Sequence, residues 1–258
     1  MSVESRFVEF DGKKTQLTVA GEGPPLLYLH SALGETEWQP YLDAIAEHFT
    51  VYLPAHPGFA LTSGLDTIRE TIDMAWHYID LLAALELDRV HMIGLSIGGW
   101  IGLEVALMRP ELVDHIILVG SAGIRIPEVP IGEIFVDNFE EIRQLTFADP
   151  KSEAAYEVFP EVPTERHLLT WLRAREATAR VGWNPYLHNP RLAQHLHRIE
   201  SPTLVLWGQE DRLMPIEYAI RFADYLPNSK LVTVPNCGHL VPMEKPAEFT
   251  REVLQFLS

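Results

Sequence analysis

Ser96 is the residue with the clearest chemical potential, because it stands between Gly94 and Gly98 in the run VHMIGLSIGGW at 90–100. An apolar, strand-like stretch opens this run, and an apolar, helix-like stretch follows the serine. Glycines two positions on either side of a serine allow a sharp turn from strand to helix, which leaves the hydroxyl exposed at the start of the helix. We therefore interpret Ser96 as a nucleophile. The alternative is a glycine-rich turn that contains an incidental serine.

A serine hydroxyl attacks a carbonyl efficiently only when a base removes its proton, and the base needs a carboxylate to orient it. Candidates for both groups follow strand-like runs in the last quarter of the chain. Asp211 lies in WGQEDRLMP at 207–215, and His239 lies in CGHLVPMEKP at 237–246. Catalytic groups of parallel sheets gather beyond the carboxyl ends of the strands, so we expect Asp211 to orient His239. Glu210 is better interpreted as a solvated turn residue.

Strand-like and helix-like segments alternate in the first half of the chain, which is typical of an α/β fold with a mainly parallel sheet flanked by helices. Helices are expected near 39–48, from a capping box at Thr67 and Glu70 to about Leu87, after Ser96, and from Pro246 onwards. The expected strands are at 6–10, 15–20, 26–30, 50–53, 90–93, 115–120, 203–207 and 230–234.

Residues 125–195 interrupt this alternation, because they contain seven prolines and scattered aromatic residues but no convincing buried strand. We interpret them as a helical cap inserted into a core formed by residues 1–124 and 196–258. Most of the aromatic side chains are expected to bury the cap, and a few to line an apolar pocket, with Trp183 as the candidate. Arg173 and Arg175 could bind a substrate carboxylate, although surface charges on a helix are the preferred interpretation.

Taken in order, HSALGETEW, PAHPGFALT, GLSIGG, WGQEDRLMP and CGHLVPMEKP resemble the motifs of α/β-hydrolase-fold enzymes over essentially the whole chain. This resemblance implies Ser96 as nucleophile, Asp211 as acid and His239 as base. It also implies an oxyanion hole formed by the backbone N–H groups of Ile97 and Ala32, which are fixed before negative charge develops on the substrate oxygen.

Two departures from family patterns bear on which N–H group completes the oxyanion hole and on which reaction is expected. The family commonly has His-Gly where this chain has His30-Ser31, so the N–H of Leu33 is an alternative to that of Ala32. Hydrolases that cleave carbon–carbon bonds in meta-cleavage products usually have Asn-Ser at the nucleophile and His-Trp at the base. This chain instead has Leu95-Ser96 and His239-Leu240. A serine at the elbow also excludes the aspartate nucleophile of haloalkane dehalogenases and epoxide hydrolases.

The expected function is therefore hydrolysis of a carboxylic ester with a small or medium apolar acyl group, through an acyl-enzyme. One alternative is carbon–carbon bond hydrolysis of a meta-cleavage product, and perhydrolysis would use the same three residues. A ligand-binding receptor or scaffold that has kept the fold is the alternative outside enzymology. Rapid turnover of simple esters would favour the esterase, and tight binding with negligible turnover would favour the receptor.

Composition limits the classes of partner. The 258 residues include 20 Lys and Arg against 36 Asp and Glu, a net charge of −16, so nucleic acids and anionic membranes are not expected partners. A small-molecule substrate is expected, and the oligomeric state is left open. The amino terminus is polar and acidic, and the one cysteine, Cys237, allows no intrachain disulfide, so a cytoplasmic location is expected.

No metal and no cofactor are expected from the sequence. His195 and His197 are two residues apart, so on a helix they point away from each other. His30 and His91 lie at or in strands and are interpreted as packed, hydrogen-bonded residues, and Cys237 as a buried thiol. The glycine-rich fingerprints of nucleotide-binding loops do not occur in the chain.

Overall fold

A computed structural model describes residues 2–136 and 138–258. Its centre is an eight-stranded sheet in the order β1-β2-β4-β3-β5-β6-β7-β8. The first two pairs, β1 with β2 and β2 with β4, are antiparallel, and the remaining pairs are parallel. The strands are β1 (Glu4–Phe10), β2 (Lys13–Ala20), β3 (Pro25–Leu29), β4 (Thr50–Pro54), β5 (Val90–Leu95), β6 (Val113–Val119), β7 (Thr203–Gly208) and β8 (Ser229–Val234).

Helices connect and flank these strands, which confirms the predicted α/β class. Every residue of β5 and β7 is buried, as expected for central parallel strands that are covered on both faces. The helices are α1 (Asp43–Ala46), α2 (Thr71–Ala84), α3 (Ile97–Met108), α4 (Phe139–Thr146), α5 (Glu153–Val158), α6 (Glu165–Gly182), α7 (Ile216–Tyr225), α8 (Val241–Glu244) and α9 (Pro246–Leu257).

The start of α2 differs from the prediction by one turn. Glu70 is the N-cap residue, and its carboxylate and that of Asp73 form the capping box. The Thr67 hydroxyl instead donates to the carbonyl of Gly64 in a preceding 3₁₀ turn. The predicted capping box at Thr67 is therefore wrong, because Glu70 and Asp73, a pair with the same spacing that begins three residues further on, cap the helix instead.

The helix expected near 39–48 is also shorter than predicted. Pro40–Leu42 form a 3₁₀ turn, and α1 adds only four residues before the chain turns into β4. The turn at Gly21 packs against the end of α1 so closely that a Cβ there would lie 2.3 Å from the carbonyl oxygen of Ala46. The turn at Gly21 thus lies directly against Ala46, the residue at which α1 ends.

The segment between β6 and β7 contains α4, α5 and α6. Between 125 and 195, the residues that the structure describes form no named strand; a single bridge joins His188 to Gly123. Within the described residues, no helix has both the length and the apolar character needed to cross a bilayer.

The elbow between β5 and α3 requires glycine for packing. A Cβ at Gly98 would lie 2.1 Å from the carbonyl oxygen of Leu29, and one at Gly94 would lie 2.4 Å from the Cα of Gly99. Both obstructing atoms belong to the backbone, which cannot rotate away as a side chain can. The two glycines thus allow α3 to start directly against β3 and β5.

Gly98→Ala is therefore expected to destabilise the protein by about 3 kcal/mol, the upper range for overpacking a tight interior. Gly102→Ala is the matched control in the same helix, because its Cβ would meet only side-chain atoms at 3.5 and 3.9 Å. Alanine at a helix interior gains up to about 1 kcal/mol over glycine, so this control should be neutral or stabilising. Urea unfolding measures both variants, and equal midpoints would contradict the prediction.

Candidate active site

Ser96 occupies a strained turn between β5 and α3. Its backbone has φ +57° and ψ −115°, a conformation that non-glycine residues rarely adopt. The surrounding backbone holds it, since the N–H of Ser96 donates to the carbonyl of Val119 at 2.9 Å and its carbonyl accepts from Ala122 at 3.1 Å. The strain is therefore supported by β6 and the loop that follows it. The hydroxyl is placed at the amino end of α3, beyond the carboxyl end of β5.

Asp211 and His239, which come from the loops after β7 and β8, form a buried pair. The Nδ1 of His239 lies 2.8 Å from Oδ2 of Asp211. The other carboxylate oxygen, Oδ1, accepts the backbone N–H groups of Leu213 at 2.9 Å and Met214 at 2.8 Å. Because an ionised carboxylate can only accept, Nδ1 is the donor, and the proton of a neutral imidazole is then on Nδ1. The lone pair of His239 is consequently on Nε2.

That Nε2 is buried and has no hydrogen-bond partner among the described residues. Ser96 and His239 line one small cavity of about 20 Å³, which is roughly the room of one water molecule. A buried acceptor without a partner is costly unless it serves a purpose, and here it is available to take a proton inside the cavity. The cavity is lined by Ser31, Ala32, Leu33, Ser96, Ile134, Phe135, Trp171, Arg175, Thr178, Leu213 and His239.

The loop that carries His239 is attached to the end of α4. The N–H of His239 donates to the carbonyl of Thr146 at 2.7 Å, and a Cβ on Gly238 would lie 2.5 Å from the same oxygen. The Glu244 carboxylate accepts the N–H groups of Gly238 at 2.7 Å and Ala148 at 2.9 Å. The position of the histidine therefore depends on a helix from the segment between β6 and β7.

The loop after β3 is organised by Ser31 and Glu35. The hydroxyl of Ser31 donates to Glu35 Oε1 at 2.6 Å, and the N–H of Ser31 donates to Oε2 at 2.9 Å. The same hydroxyl accepts the N–H of Leu33 at 3.0 Å, so this N–H is already engaged. The N–H of Ala32 donates to no acceptor within the described residues. That of Ile97 is at the first position of α3, where no partner exists within a helix.

Sequence reasoning missed Glu35, which is buried, so that desolvation raises the pKa of its carboxyl. His30 supports the same loop. Its Nδ1 donates to the carbonyl of Ser31 at 2.8 Å, and its Nε2 accepts the N–H of His56 at 2.9 Å. Burial lowers the pKa of His30 well below its ordinary value, so the ring is neutral and fixed. Ser31, which stands where the family commonly has glycine, thus has a carboxylate partner in Glu35.

Arg175 lines the cavity shared by Ser96 and His239 rather than lying on the surface, contrary to the preferred interpretation of the sequence. Its guanidinium donates to the carbonyls of Phe135, at 3.0 Å, and Val136, and it stacks on the ring of Trp171, 4.7 Å from the ring centroid. Trp171 and Arg175 are four residues apart and therefore lie on one face of α6. This spacing is the feature of the sequence that indicates a contact between them. A fixed positive charge therefore lines the cavity that contains Ser96.

Trp183, by contrast, is 62% exposed. It lies just beyond the end of α6, and its ring packs edge-on against Phe135 with the centroids 5.1 Å apart. Among the described residues of the segment between β6 and β7, Phe135 and Trp171 are the aromatic residues that line the cavity. Contrary to the expectation from the sequence, Trp183 therefore does not line this cavity. Its side chain instead packs against Phe135 from the solvent side.

A larger groove of about 560 Å³ lies next to the cavity. Leu33 and Trp171 line both spaces, so these two side chains stand between the groove and Ser96. The groove runs between the loop after β3 and helices α4 to α6, and an ion pair between Glu37 and Arg166 links its two sides. A substrate that reaches Ser96 by this route must pass Leu33 and Trp171.

Cys237 stands two residues before His239 but is a buried, free thiol. Its Sγ donates to the carbonyl of Gly238 at 3.7 Å. Burial raises the pKa of the thiol far above its ordinary value, which removes the thiolate needed for nucleophilic attack. The thiol therefore behaves as a packed side chain in the histidine loop.

Comparisons with known proteins agree with this architecture. A model of the alpha/beta hydrolase family matches residues 26–252. The chain is 27% identical to a 2-hydroxy-6-oxo-6-(2'-aminophenyl)hexa-2,4-dienoic acid hydrolase of Metapseudomonas resinovorans, with 98% of this chain and 90% of that protein covered. It is 29% identical to a 2-hydroxy-6-oxo-2,4-heptadienoate hydrolase of Pseudomonas putida, with 98% and 96% covered.

A solved serine hydrolase involved in carbazole degradation is 26% identical and superposes with a TM-score of 0.80, covering 99% of both chains. The match to the family model extends from β3 into α9 and so includes the segments that carry Ser96, Asp211 and His239. The chain belongs to the alpha/beta hydrolase family, and it is a hydrolase.

Proposed function

We propose that the protein hydrolyses carboxylic esters through a triad of Ser96, His239 and Asp211. One observation carries this proposal: the bond from Nδ1 of His239 to Asp211 leaves Nε2 buried and unpartnered at the cavity that Ser96 also lines. A histidine oriented in this way is a general base for the serine hydroxyl. The N–H groups of Ile97 and Ala32 are the proposed oxyanion donors, since the N–H of Leu33 is occupied by Ser31.

In the proposed reaction, Oγ of Ser96 attacks the ester carbonyl while Nε2 of His239 takes the hydroxyl proton. The carbonyl oxygen becomes negative and accepts hydrogen bonds from Ile97 and Ala32. Collapse of the tetrahedral intermediate breaks the bond to the alcohol, which receives the proton from His239. Water then attacks the acyl-enzyme, with His239 as base, and releases the acid. Asp211 stabilises the imidazolium in both halves.

The segment 125–195 is proposed as the cap that selects the acyl group of a small-molecule substrate. It contributes apolar side chains to the cavity through Ile134, Phe135 and Trp171. The cavity at Ser96 is small, so we propose that the cap moves when a substrate binds. Apolar lining favours an apolar acyl group, and the limited room favours a small or medium one.

Labelling with a fluorophosphonate probe, followed by mass-spectrometric mapping, tests the proposal. We expect the adduct on Ser96 in the wild type and none in His239→Ala, because the hydroxyl is activated only by the histidine. A series of p-nitrophenyl esters then measures the acyl preference. A folded wild type that neither reacts with the probe nor turns over any ester would refute the proposed function.

Arg175 favours a second candidate, carbon–carbon bond hydrolysis of a dienoic acid. The relatives named above act, by their names, on 2-hydroxy-6-oxo-dienoic acids, which carry a carboxylate. A fixed guanidinium at the cavity of Ser96 is a suitable partner for that charge, because arginine pairs with carboxylates in a bidentate geometry. Among the described residues that line the cavity, none is a carboxylate that could pair with this cation.

Arg175→Leu separates the two candidates. If a carboxylate binds there, kcat/KM for a 2-hydroxy-6-oxohexa-2,4-dienoate should fall about 100-fold, since a charged hydrogen bond contributes about 1.5–3 kcal/mol. Hydrolysis of a neutral ester should change by only a few fold. Arg173→Leu, which removes a charge that contacts the carbonyl of Ala60 at 3.4 Å, is the matched control. Equal losses on both substrates would assign Arg175 a structural role only.

A further inference from the structure

A cluster of two histidines and an aspartate lies at the other ends of the central strands, where β5 and β6 begin. Val90 pairs with Val113 and Met92 pairs with Ile116, so the single residue His91 faces two residues of β6, Asp114 and His115. This is a β-bulge, an extra residue that redirects side chains locally. Adjacent residues in a regular strand point to opposite faces, whereas this bulge brings Asp114 and His115 to His91 together.

The three side chains present their ligand atoms to a common point. Oδ2 of Asp114 lies 3.6 Å from Nδ1 of His91 and 3.4 Å from Nδ1 of His115. The cluster offers one ligand atom from each side chain, all within 4.8 Å of one another. Both Nδ1 atoms are buried and have no hydrogen-bond partner among the described residues. Two buried ring nitrogens directed at one carboxylate oxygen, without hydrogen bonds to it, require an explanation.

These separations are too long for good hydrogen bonds but suit ligands of one metal ion. Zinc binds histidine nitrogen and carboxylate oxygen at about 2.0–2.1 Å in a tetrahedral arrangement, and the edge of such a tetrahedron is about 3.4 Å. The two measured nitrogen–oxygen separations are close to that edge. An ion at this point would bind both unpartnered Nδ1 atoms together with Oδ2 of Asp114.

The surroundings fix the ligands in place. Phe49 packs edge-on against the ring of His91, and Phe256 packs in the same way against His115. Arg89 pairs at 2.5 Å with Oδ1 of Asp114, which leaves Oδ2 free to face the histidines. Hydrogen-bonded carboxylates of this kind are typical of metal ligands.

We propose that His91, Asp114 and His115 bind one divalent first-row transition ion, with Zn²⁺ as the best match to two imidazoles and one carboxylate. The site is structural. His91 precedes Ser96 by most of the length of an extended strand, roughly 16 Å, so the ion takes no part in the chemistry at the serine. Its effect is to fasten the bulge between β5 and β6. His91 and His115 are far apart in the sequence, and only the strand pairing reveals the cluster.

The test is a Zn²⁺ titration of the full chain after treatment with a chelator and buffer exchange, followed by calorimetry. We expect one Zn²⁺ per chain, with affinity at least 100-fold weaker in His115→Ala and in Asp114→Asn. His197→Ala, which removes an exposed histidine elsewhere, is the control and should bind as the wild type does. Co²⁺ provides a second readout, because a tetrahedral complex gives strong visible absorption that His91→Gln should abolish.

Zn²⁺ should also raise the Tm of the wild type but not that of His115→Ala, while ester hydrolysis stays the same before and after metal removal. If Zn²⁺ binds no more tightly to the wild type than to His115→Ala, or if Asp114→Asn binds normally, the proposal is overturned. A variant that does not fold without metal is identified by circular dichroism. In that case His115→Gln, which keeps a polar side chain of similar length but lacks the imidazole ligand, replaces it.

Discussion

Ser96→Ala is expected to lower kcat for ester hydrolysis by about 10⁴- to 10⁶-fold, the range found when a catalytic nucleophile is removed and only binding and the oxyanion donors remain. The physical reason is that Ser96 carries the hydroxyl that we propose His239 to activate, whereas the hydroxyl of Ser31, which also lines the cavity, is engaged by Glu35 and by the N–H of Leu33. Cys237 is buried in the histidine loop with a raised pKa. Steady-state kinetics with a chromogenic ester measures the effect, and urea unfolding checks that the variant is folded.

His239→Ala provides the internal control for this result. Nucleophile and base act as one unit, so the double variant should be about as slow as either single variant, rather than showing the product of their losses. A Ser96→Ala protein that retains wild-type turnover would show that another group performs the chemistry. Multiplicative losses would show that His239 and Ser96 act independently, which the triad does not allow.

Asp211→Asn should reduce kcat by about 10⁴-fold without unfolding the protein. The asparagine oxygen can still accept the N–H groups of Leu213 and Met214, which hold Oδ1 of the native carboxylate. Its NH₂ group then faces Nδ1 of His239, which must become an acceptor. The ring proton moves to Nε2, and an imidazole in that form cannot take the proton of Ser96. The measurement is kcat on an ester near neutral pH.

Glu210→Gln is the matched control, since Glu210 is the neighbouring acid. Its Oε2 accepts the N–H of Cys237 at 2.9 Å, a bond that glutamine can also make. We expect kcat to change by no more than a few fold. If the two variants lose activity equally, the loop as a whole, rather than the charge and orientation supplied by Asp211, would be responsible.

Much of the proposed triad could be located from the sequence because each member follows a strand. An apolar run that ends in a distinctive turn predicts both the strand and the position of the next residue at the carboxyl edge of the sheet. Ser96, Asp211 and His239 could therefore be named without knowing how the helices pack. The overall α/β class followed from the same alternation of segments.

Features that depend on packing between distant segments were not accessible in this way. The sequence favours a surface charge at Arg175 because its partners, the carbonyls of Phe135 and Val136, are backbone atoms with no signature in the sequence. The exposure of Trp183 depends on where α6 ends, and boundaries are poorly determined by residue patterns. The bulge at Asp114 and His115 is a property of strand register, which no single strand reveals.

The attachment of the histidine loop to α4 has a consequence for exchanging substrate specificity between relatives. A chimera that replaced residues 125–195 as one block would also replace Thr146, the backbone acceptor that positions His239. It would replace the N–H of Ala148, which Glu244 binds, as well. A recombination boundary placed after Ala148 would keep these contacts with their own loop. The part of the chain that must be kept together with His239 therefore extends beyond the core sheet to the end of α4 and the residues just after it.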